Sequence, residues 1–324
     1  MGTAGGAPAG VGRRGTVAAV IDVGSNSVLL LAVAVGADGR ARPVDAALET
    51  TRLGTGLQDG GALDPAARAR TLAAVETLAA RARRAGAERV WALATAAVRR
   101  AGDGAAFARE VEHAAGVPVE VLSGMREAAL AYAAVAHGLP GLAGPLLVVD
   151  VGGGTTEITL GRDETVLETA SLPLGALTLS EAGAGRVAEC VEPVLAGCDL
   201  LARAATSGAR LAASGGTATA LAALDLGLTG YDARRVHGHV LGRAALEALV
   251  ARVAALPPAA LASLGGLDPG RAAILPAGAV LLDRVVAAAH ASAVMVSDHG
   301  VRHAYLRERL AEGGVHVDLG ALSS

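Results

Sequence analysis

The chain has no lysine; every one of its 28 basic side chains is an arginine. That excludes a Walker A loop, which needs its lysine, and any Schiff-base chemistry. A phosphate clamp in this chain has to be built from arginine, whose planar fork suits bidentate oxygen recognition. Cysteine is almost as scarce. Cys190 and Cys198 are too few for a disulfide framework or a four-cysteine zinc site, and they read as small hydrophobes on a helix. Aromatics make up only 2% against 52% hydrophobic residues, so alanine, valine and leucine must build the core. There is no excess of positive charge, with 28 basic against 31 acidic residues and a net charge of −3. This argues against a general nucleic-acid or anionic-membrane binder. No apolar run is long enough to span a bilayer. The first 15 residues, rich in Gly, Ala and Pro with Arg13 and Arg14, lack the apolar segment of a signal peptide and read as a disordered tail. The expectation is a soluble, cytoplasmic protein, and 324 residues leave room for two domains.

One motif occurs twice. Val20-Ile21-Asp22-Val23-Gly24-Ser25-Asn26-Ser27 returns as Val148-Val149-Asp150-Val151-Gly152-Gly153-Gly154-Thr155, the two aspartates lying 128 residues apart (150 − 22). Each copy is an apolar run, an Asp, one apolar residue and a turn of small residues, followed by a second apolar run. That pattern reads as strand, tight turn, strand. The small turn residues let backbone N–H groups point at one spot, as in an anion-binding nest. The Asp at each strand end offers oxygen to a hard cation. Two such hairpins facing each other would hold a phosphate and its metal in a cleft.

Around these hairpins the pattern predicts strands at 17–22, 28–35, 44–50 and 89–95, then 117–122. Helices are expected at 65–85, opened by Asp64 and Pro65, and at 103–115 and 125–136. Gly138-Leu139-Pro140-Gly141 then breaks the chain. The second half repeats the grammar, with strands at 146–151, 156–161, 165–171 and 209–213. Helices follow near 178–190, 194–205, 216–224, 242–254 and 270–288, with a strand at 293–296 and a last helix at 300–312. The fold class is α/β, with two related mixed sheets and a ligand between them.

These residues resemble the exopolyphosphatase/guanosine pentaphosphate phosphohydrolase (Ppx/GppA) family of the actin-like ATPase superfamily. The resemblance is carried in order by the two hairpins, Thr51-Arg52-Leu53-Gly54-Thr55-Gly56-Leu57, Ala94-Thr95-Ala96-Ala97-Val98-Arg99 and Val121-Leu122-Ser123-Gly124-Met125-Arg126-Glu127-Ala128. Leu174-Gly175-Ala176 with Glu181, Ser214-Gly215-Gly216-Thr217-Ala218-Thr219, Val236-His237-Gly238, Arg271 with Ala277-Gly278, and Val296-Ser297-Asp298-His299-Gly300 continue it. The match runs over roughly 16–310. It departs from the family at Arg126, where a second acid is usual before the catalytic Glu, at Ala273 in place of Asp, and at Arg302-His303-Ala304 in place of Arg-Glu-Gly.

The resemblance implies two actin-like (ribonuclease H-like) domains with a cleft between them. The first would be 16–137 joined by a C-terminal helix at about 303–324, and the second 138–302. It implies a hydrolase that releases terminal phosphate from inorganic polyphosphate, guanosine pentaphosphate or both, with Mg²⁺ or Mn²⁺ as cofactor, acting as a homodimer. No nucleic-acid or membrane partner is expected. Phosphoanhydride hydrolysis needs phosphate cradles, a cation, charge clamps and a group that orients water. Gly24, Ser25, Asn26, Ser27, Gly152, Gly153, Gly154 and Thr155 would be the cradles, and Asp22 and Asp150 the metal ligands. By resemblance Glu127 is the acid that activates water, and Arg99, after a buried strand, is a phosphate contact. Glu157, seven residues beyond Asp150, is a further metal or water partner or else an outward-facing strand residue. His237 and His239 read as loop or core histidines. With no His-Asp dipeptide present, the appended HD-type domain of longer members is not expected. Two alternatives stand beside the hydrolase: an actin-like small-molecule kinase, and a catalytically weak sensor of guanosine tetraphosphate or polyphosphate that Arg126 would explain.

Overall fold

The computed structural model describes residues 16–139 and 141–318; the tail expected at 1–15 lies outside them, as do Pro140 and 319–324. The first half runs β1 (Thr16–Val23), β2 (Ser27–Val35), β3 (Ala41–Thr50), α1 (Pro65–Arg84), β4 (Arg89–Ala94), α2 (Ala96–Arg100), α3 (Gly104–Ala115), β5 (Val119–Val121) and α4 (Gly124–Gly138). Next come β6 (Pro145–Val151), β7 (Thr156–Arg162), β8 (Thr165–Leu172), α5 (Ala176–Glu181), a 3₁₀ turn, α6 (Val187–Ala196), α7 (Asp199–Ser207), β9 (Arg210–Ser214) and α8 (Gly215–Asp225). The chain then forms α9 (Ala233–Val236), β10 (Val240–Gly242), α10 (Arg243–Ala255), α11 (Pro258–Ala262), α12 (Pro269–Ala272), α13 (Leu275–Ala288), β11 (Ala293–Val296) and α14 (Val301–Glu312).

The strands form two sheets, ordered β3-β2-β1-β4-β5 and β10-β11-β9-β6-β7-β8. Each contains three antiparallel strands joined by hairpins, β1-β2-β3 and β6-β7-β8. Each then adds parallel strands reached through helical crossovers, β4 and β5 in one, β9 and β11 in the other. A repeated topology is what a repeated motif implies. The fold is α/β with two mixed sheets, as expected.

Both central strands are apolar along most of their length because helices cover both faces of each sheet. Ala18 to Ile21 on β1 and Leu146 to Val149 on β6 are buried. Helix α1 begins where its capping signal stands: the Asp64 carboxylate accepts the Ala67 N–H at 2.7 Å, with Pro65 in the first turn. Helix α4 starts the same way, with Ser123 Oγ accepting from Arg126 N at 3.2 Å. Its alanine-rich surface packs two ways. Leu130, Ala131 and Ala134 join Val20, Leu31 and Leu306 in one cluster, while Tyr132 and Val135 join Leu146 and Val148 in another. The last helix, α14, returns across the molecule onto α4 and β1.

Several expected elements differ. The helix expected near 178–190 is interrupted after Glu181, because Gly183 takes φ +90° and starts a 3₁₀ turn before α6. The helix expected at 194–205 is split by Gly197 and Cys198, so Cys190 lies on α6 and Cys198, buried in the second-half core, precedes α7. The helix expected at 270–288 breaks at Ala273 and Ile274, since Pro276 has no N–H to donate to the carbonyl four residues back, at Ala272, and sits instead in the first turn of α13. Helices α2, α9 and α11 and strand β10 go unforeseen; each is five residues or fewer, too short for a periodic signal. His237 Nε2 lies 2.9 Å from Gly138 O, and its ring packs against His299, which stacks on His303. His239 pairs with Asp225 at 2.7 Å.

Candidate active site

The two hairpin turns close identically. Gly24 N donates to Ser27 O and Gly152 N to Thr155 O, each at 3.0 Å. A Cβ at Gly24 or Gly152 would sit 3.0 or 2.9 Å from that same acceptor, so glycine is needed for the turn to close. The tips meet across a cleft: a Cβ built on Gly153 would lie 3.1 Å from Asn26 N, and one on Gly154 2.8 Å from Ser25 Oγ. Behind the second turn, Gly175 brings α5 so close that a Cβ there would fall 2.3 Å from Gly153 O. Arg100, held by Asp59 at 2.5 Å, donates to Gly154 O at 3.3 Å and ties the two halves together. Gly56 N to Glu181 Oε1 at 3.0 Å and Thr50 Oγ1 to Asp268 Oδ1 at 3.4 Å are further cross-cleft contacts.

All eight turn residues expected as cradles line this cleft, as do Asp22, Asp150 and Glu127. Asp22 and Asp150 end their strands at matching positions. Burial, the largest cause, lifts the Asp22 carboxyl to about 7 and Asp150 to about 6. Arg302 opposes both shifts, while the Asp150 charge adds to that of Asp22. Asp22 Oδ1 is buried with no hydrogen-bond partner. An orphaned carboxylate oxygen beside a second buried carboxylate is the environment a divalent cation would satisfy. Among the described residues no three His, Cys, Asp or Glu side chains converge as a closed metal cage.

Glu157 stands directly opposite Asp150 in the β6–β7 register, so both side chains leave the same face of the sheet. It is 2% exposed, which removes the outward-facing alternative. Ser171 Oγ donates to its Oε1 at 2.8 Å. Burial and then the Asp150 charge push its carboxyl up to about 7.

Glu127 lies in the first turn of α4 and is 8% exposed, not a solvated helix glutamate. Gly124 permits the approach of this helix to β8, since a Cβ there would be 2.8 Å from Ser171. Burial and the charge of Glu157 raise the Glu127 carboxyl well above the ordinary range, and Arg99 pulls it back. Arg99 is carried on α2, directly after β4. Its Nη1 donates to Glu127 Oε2 at 2.8 Å and to Leu122 O at 2.7 Å. The side chain expected to touch phosphate therefore grips the expected base. Arg126 turns the other way, pairing with Glu308 and lying 3.8 Å from Glu120.

The sequence model of the Ppx/GppA phosphatase family matches residues 33–312. The chain belongs to this family. It is thus an enzyme of the phosphatase type, and the expectation drawn from its motifs is met. Exopolyphosphatase 2 of Mycobacterium tuberculosis is 33% identical over 293 residues, covering 83% of this chain and 90% of that protein. A guanosine-5'-triphosphate,3'-diphosphate pyrophosphatase of Vibrio cholerae is 35% identical over 163 residues, half of this chain and 32% of its own. The crystal structure of the Aquifex aeolicus Ppx/GppA family member superposes with a TM-score of 0.74 at 28% identity, covering 92% of this chain and 98% of that one.

Two cleft residues of this Ppx/GppA protein were not assigned a role from sequence. Arg271 and Arg302 both line the cleft and interact electrostatically with each other. Arg271 packs over Gly216, where a Cβ would meet its guanidinium at 2.4 Å. The Nε of Arg302 is buried without a hydrogen-bond partner. Arg271 stood in the ordered motif set and Arg302 in a segment that departs from it, and the absence of lysine leaves only arginine to neutralise phosphate.

Proposed function

We propose that this Ppx/GppA protein hydrolyses the terminal phosphoanhydride bond of inorganic polyphosphate, guanosine pentaphosphate or both, with water activated by Glu127. The observation that carries the reading is a buried carboxyl, gripped by an arginine, in a cleft between two aspartate-bearing phosphate turns. The turns would seat the terminal phosphates, and Arg271 and Arg302 would offset their charge. Asp22 and Asp150 would hold Mg²⁺ or Mn²⁺ together with substrate oxygens and water, the way Mg²⁺ is bound when no all-protein cage exists. When bound, the ion would neutralise charge developing on the transferred phosphoryl group.

Glu127 would accept the proton of the attacking water. Its raised proton affinity makes it a stronger base than a surface glutamate when ionised, and Arg99 opposes the rise. Glu157 would set the local charge from the opposite wall and serve as a further metal or water partner. The two halves, 16–137 with the last helix and 138–302, would close on the substrate as the lobes of the cleft. The sensor alternative was motivated by Arg126, whose guanidinium is committed to Glu308 on the far side of α4. The kinase alternative has no observation of its own in the cleft.

The test is Glu127→Gln, which keeps shape and hydrogen bonding but removes the base. Turnover should fall about 10²- to 10⁴-fold with substrate affinity similar or improved. Near-wild-type turnover would remove Glu127 from the reaction.

A further inference from the structure

The chain passes between its two sheets after α4, at Gly138, and returns between β11 and α14. One side chain bonds to both passages. His237, just after α9, has its Nε2 2.9 Å from Gly138 O, and its Nδ1 accepts the Asp298 N–H at 3.2 Å. An accepting Nδ1 leaves the proton of a neutral ring on Nε2, which donates to Gly138. His299 packs on this ring with centroids 4.3 Å apart, and His303 stacks on His299 at 4.5 Å and 23°. His299 and His303 are both buried. Gly138 makes room for the stack, since a Cβ there would fall 2.4 Å from His299 Nδ1. Ser297 Oγ donates to His299 O at 2.9 Å and accepts the His299 N–H at 3.1 Å, which fixes the turn before α14. Burial, then the neighbouring ring, holds His299 down at about 4 and His303 well below the ordinary imidazole range.

His303 is the third residue of α14, and its Nδ1 accepts the N–H of Gly300, the residue before the helix, at 3.1 Å. A Glu or Gln side chain at that position commonly serves the same N–H. His303 stands where the Ppx/GppA pattern has the Glu of Arg-Glu-Gly, so the departure keeps an acceptor and adds a ring. The residue before it is Arg302. Gly300, Val301 and Arg302 line the cleft, and Arg302 lies within electrostatic reach of Asp22 and Asp150. The buried Nε of Arg302 has no hydrogen-bond partner to hold it. Its place in the cleft therefore follows from where the first turn of α14 stands.

We infer that His303, backed by His299 and His237, is a positioning residue that fixes the first turn of α14 and so sets Arg302 in the cleft. The inference rests on the phosphate-cleft reading above, in which Arg302 offsets substrate charge, and adds how that arginine is held.

The buried Nε–H of Arg302 gives a readout that needs no ligand. Its exchange with solvent is followed by NMR, the signal being assigned by its loss in Arg302→Ala. Binding of inorganic tripolyphosphate with Mg²⁺ is measured calorimetrically on the same proteins, with folding checked by circular dichroism. His303→Ala should speed the exchange and weaken tripolyphosphate binding. Arg302→Ala should weaken binding by about 10- to 150-fold, the range for one hydrogen bond to a charged group. The double variant should bind no more weakly than Arg302→Ala, because His303 acts through that side chain. His303→Gln, whose amide oxygen serves the Gly300 N–H, should keep most of the protection and affinity. His237→Ala, outside α14, should give a smaller loss of both, and it carries the test if His303→Ala does not fold. An Arg302 Nε–H that stays protected in the alanine variants at 303 and 237, or losses that multiply in the double variant, overturns the positioning role. Tripolyphosphate that does not bind wild type sinks the phosphate-cleft reading alone, and the exchange rates then decide whether His303 holds Arg302.

Discussion

Arg99 and Glu157 act on Glu127 in opposite directions, and the pair gives the site a pH signature. Glu127 works as a base when ionised, so turnover should rise with pH through its folded-state pKa. Arg99 lowers that pKa and Glu157 raises it. Arg99→Leu should therefore move the acid limb of the kcat/KM profile to higher pH, and Glu157→Gln should move it to lower pH. Profiles that shift the same way in both variants, or in neither, would contradict this electrostatic assignment. Asp22, Asp150 and the two turns are legible in sequence because the motif is local and occurs twice. Arg99 is only half legible: its position after a buried strand is evident, but its partner Glu127, 28 residues on, is set by how α4 docks. Arg126 could not be read at all, since its direction is decided by Glu308 on the returning last helix.

At the level of elements, the site depends on how closely strand-turn units can approach. Gly175 precedes α5 and lets the start of that helix rest on the second phosphate turn. A Cβ there would stand 2.3 Å from Gly153 O and 2.4 Å from its carbonyl carbon, both backbone atoms that cannot rotate away. Gly175→Ala should cost about 1–3 kcal/mol in unfolding free energy, as overpacking usually does. It should also weaken tripolyphosphate binding, because the turn is what must shift. Chemical denaturation and calorimetry check both, and a variant with wild-type stability and binding would refute the contact. The same scale shows where periodicity fails. Long strands and α1, α4 and α14 are visible because apolar spacing and capping residues agree over many residues. The 176–207 stretch is not, because alanine suits helix, turn and core alike; Gly183 at φ +90° separates α5 from α6, while α6 stops at Gly197 in backbone that any residue adopts.

For the molecule as a whole, duplicated hairpins already imply two sheets facing one ligand, while the closure of the cleft is legible only in three dimensions. Cross-cleft hydrogen bonds at 3.0 to 3.4 Å join Gly56 with Glu181, Thr50 with Asp268 and Arg100 with Gly154. Each is worth about 0.5–1.5 kcal/mol net, so an opening that breaks only these three would be inexpensive. Small-angle scattering should show the radius of gyration falling when Mg²⁺ and tripolyphosphate are added; an unchanged radius at saturation would mean a rigid, preformed site. The most direct measurement of the central claim is phosphate release from inorganic polyphosphate and from guanosine pentaphosphate, each with and without Mg²⁺, for the wild-type chain beside Glu127→Gln. The account predicts Mg²⁺-dependent release from at least one substrate by wild type and a loss of about 10²- to 10⁴-fold in the variant. Release from neither substrate by the wild-type chain, or equal release by both proteins, would contradict it.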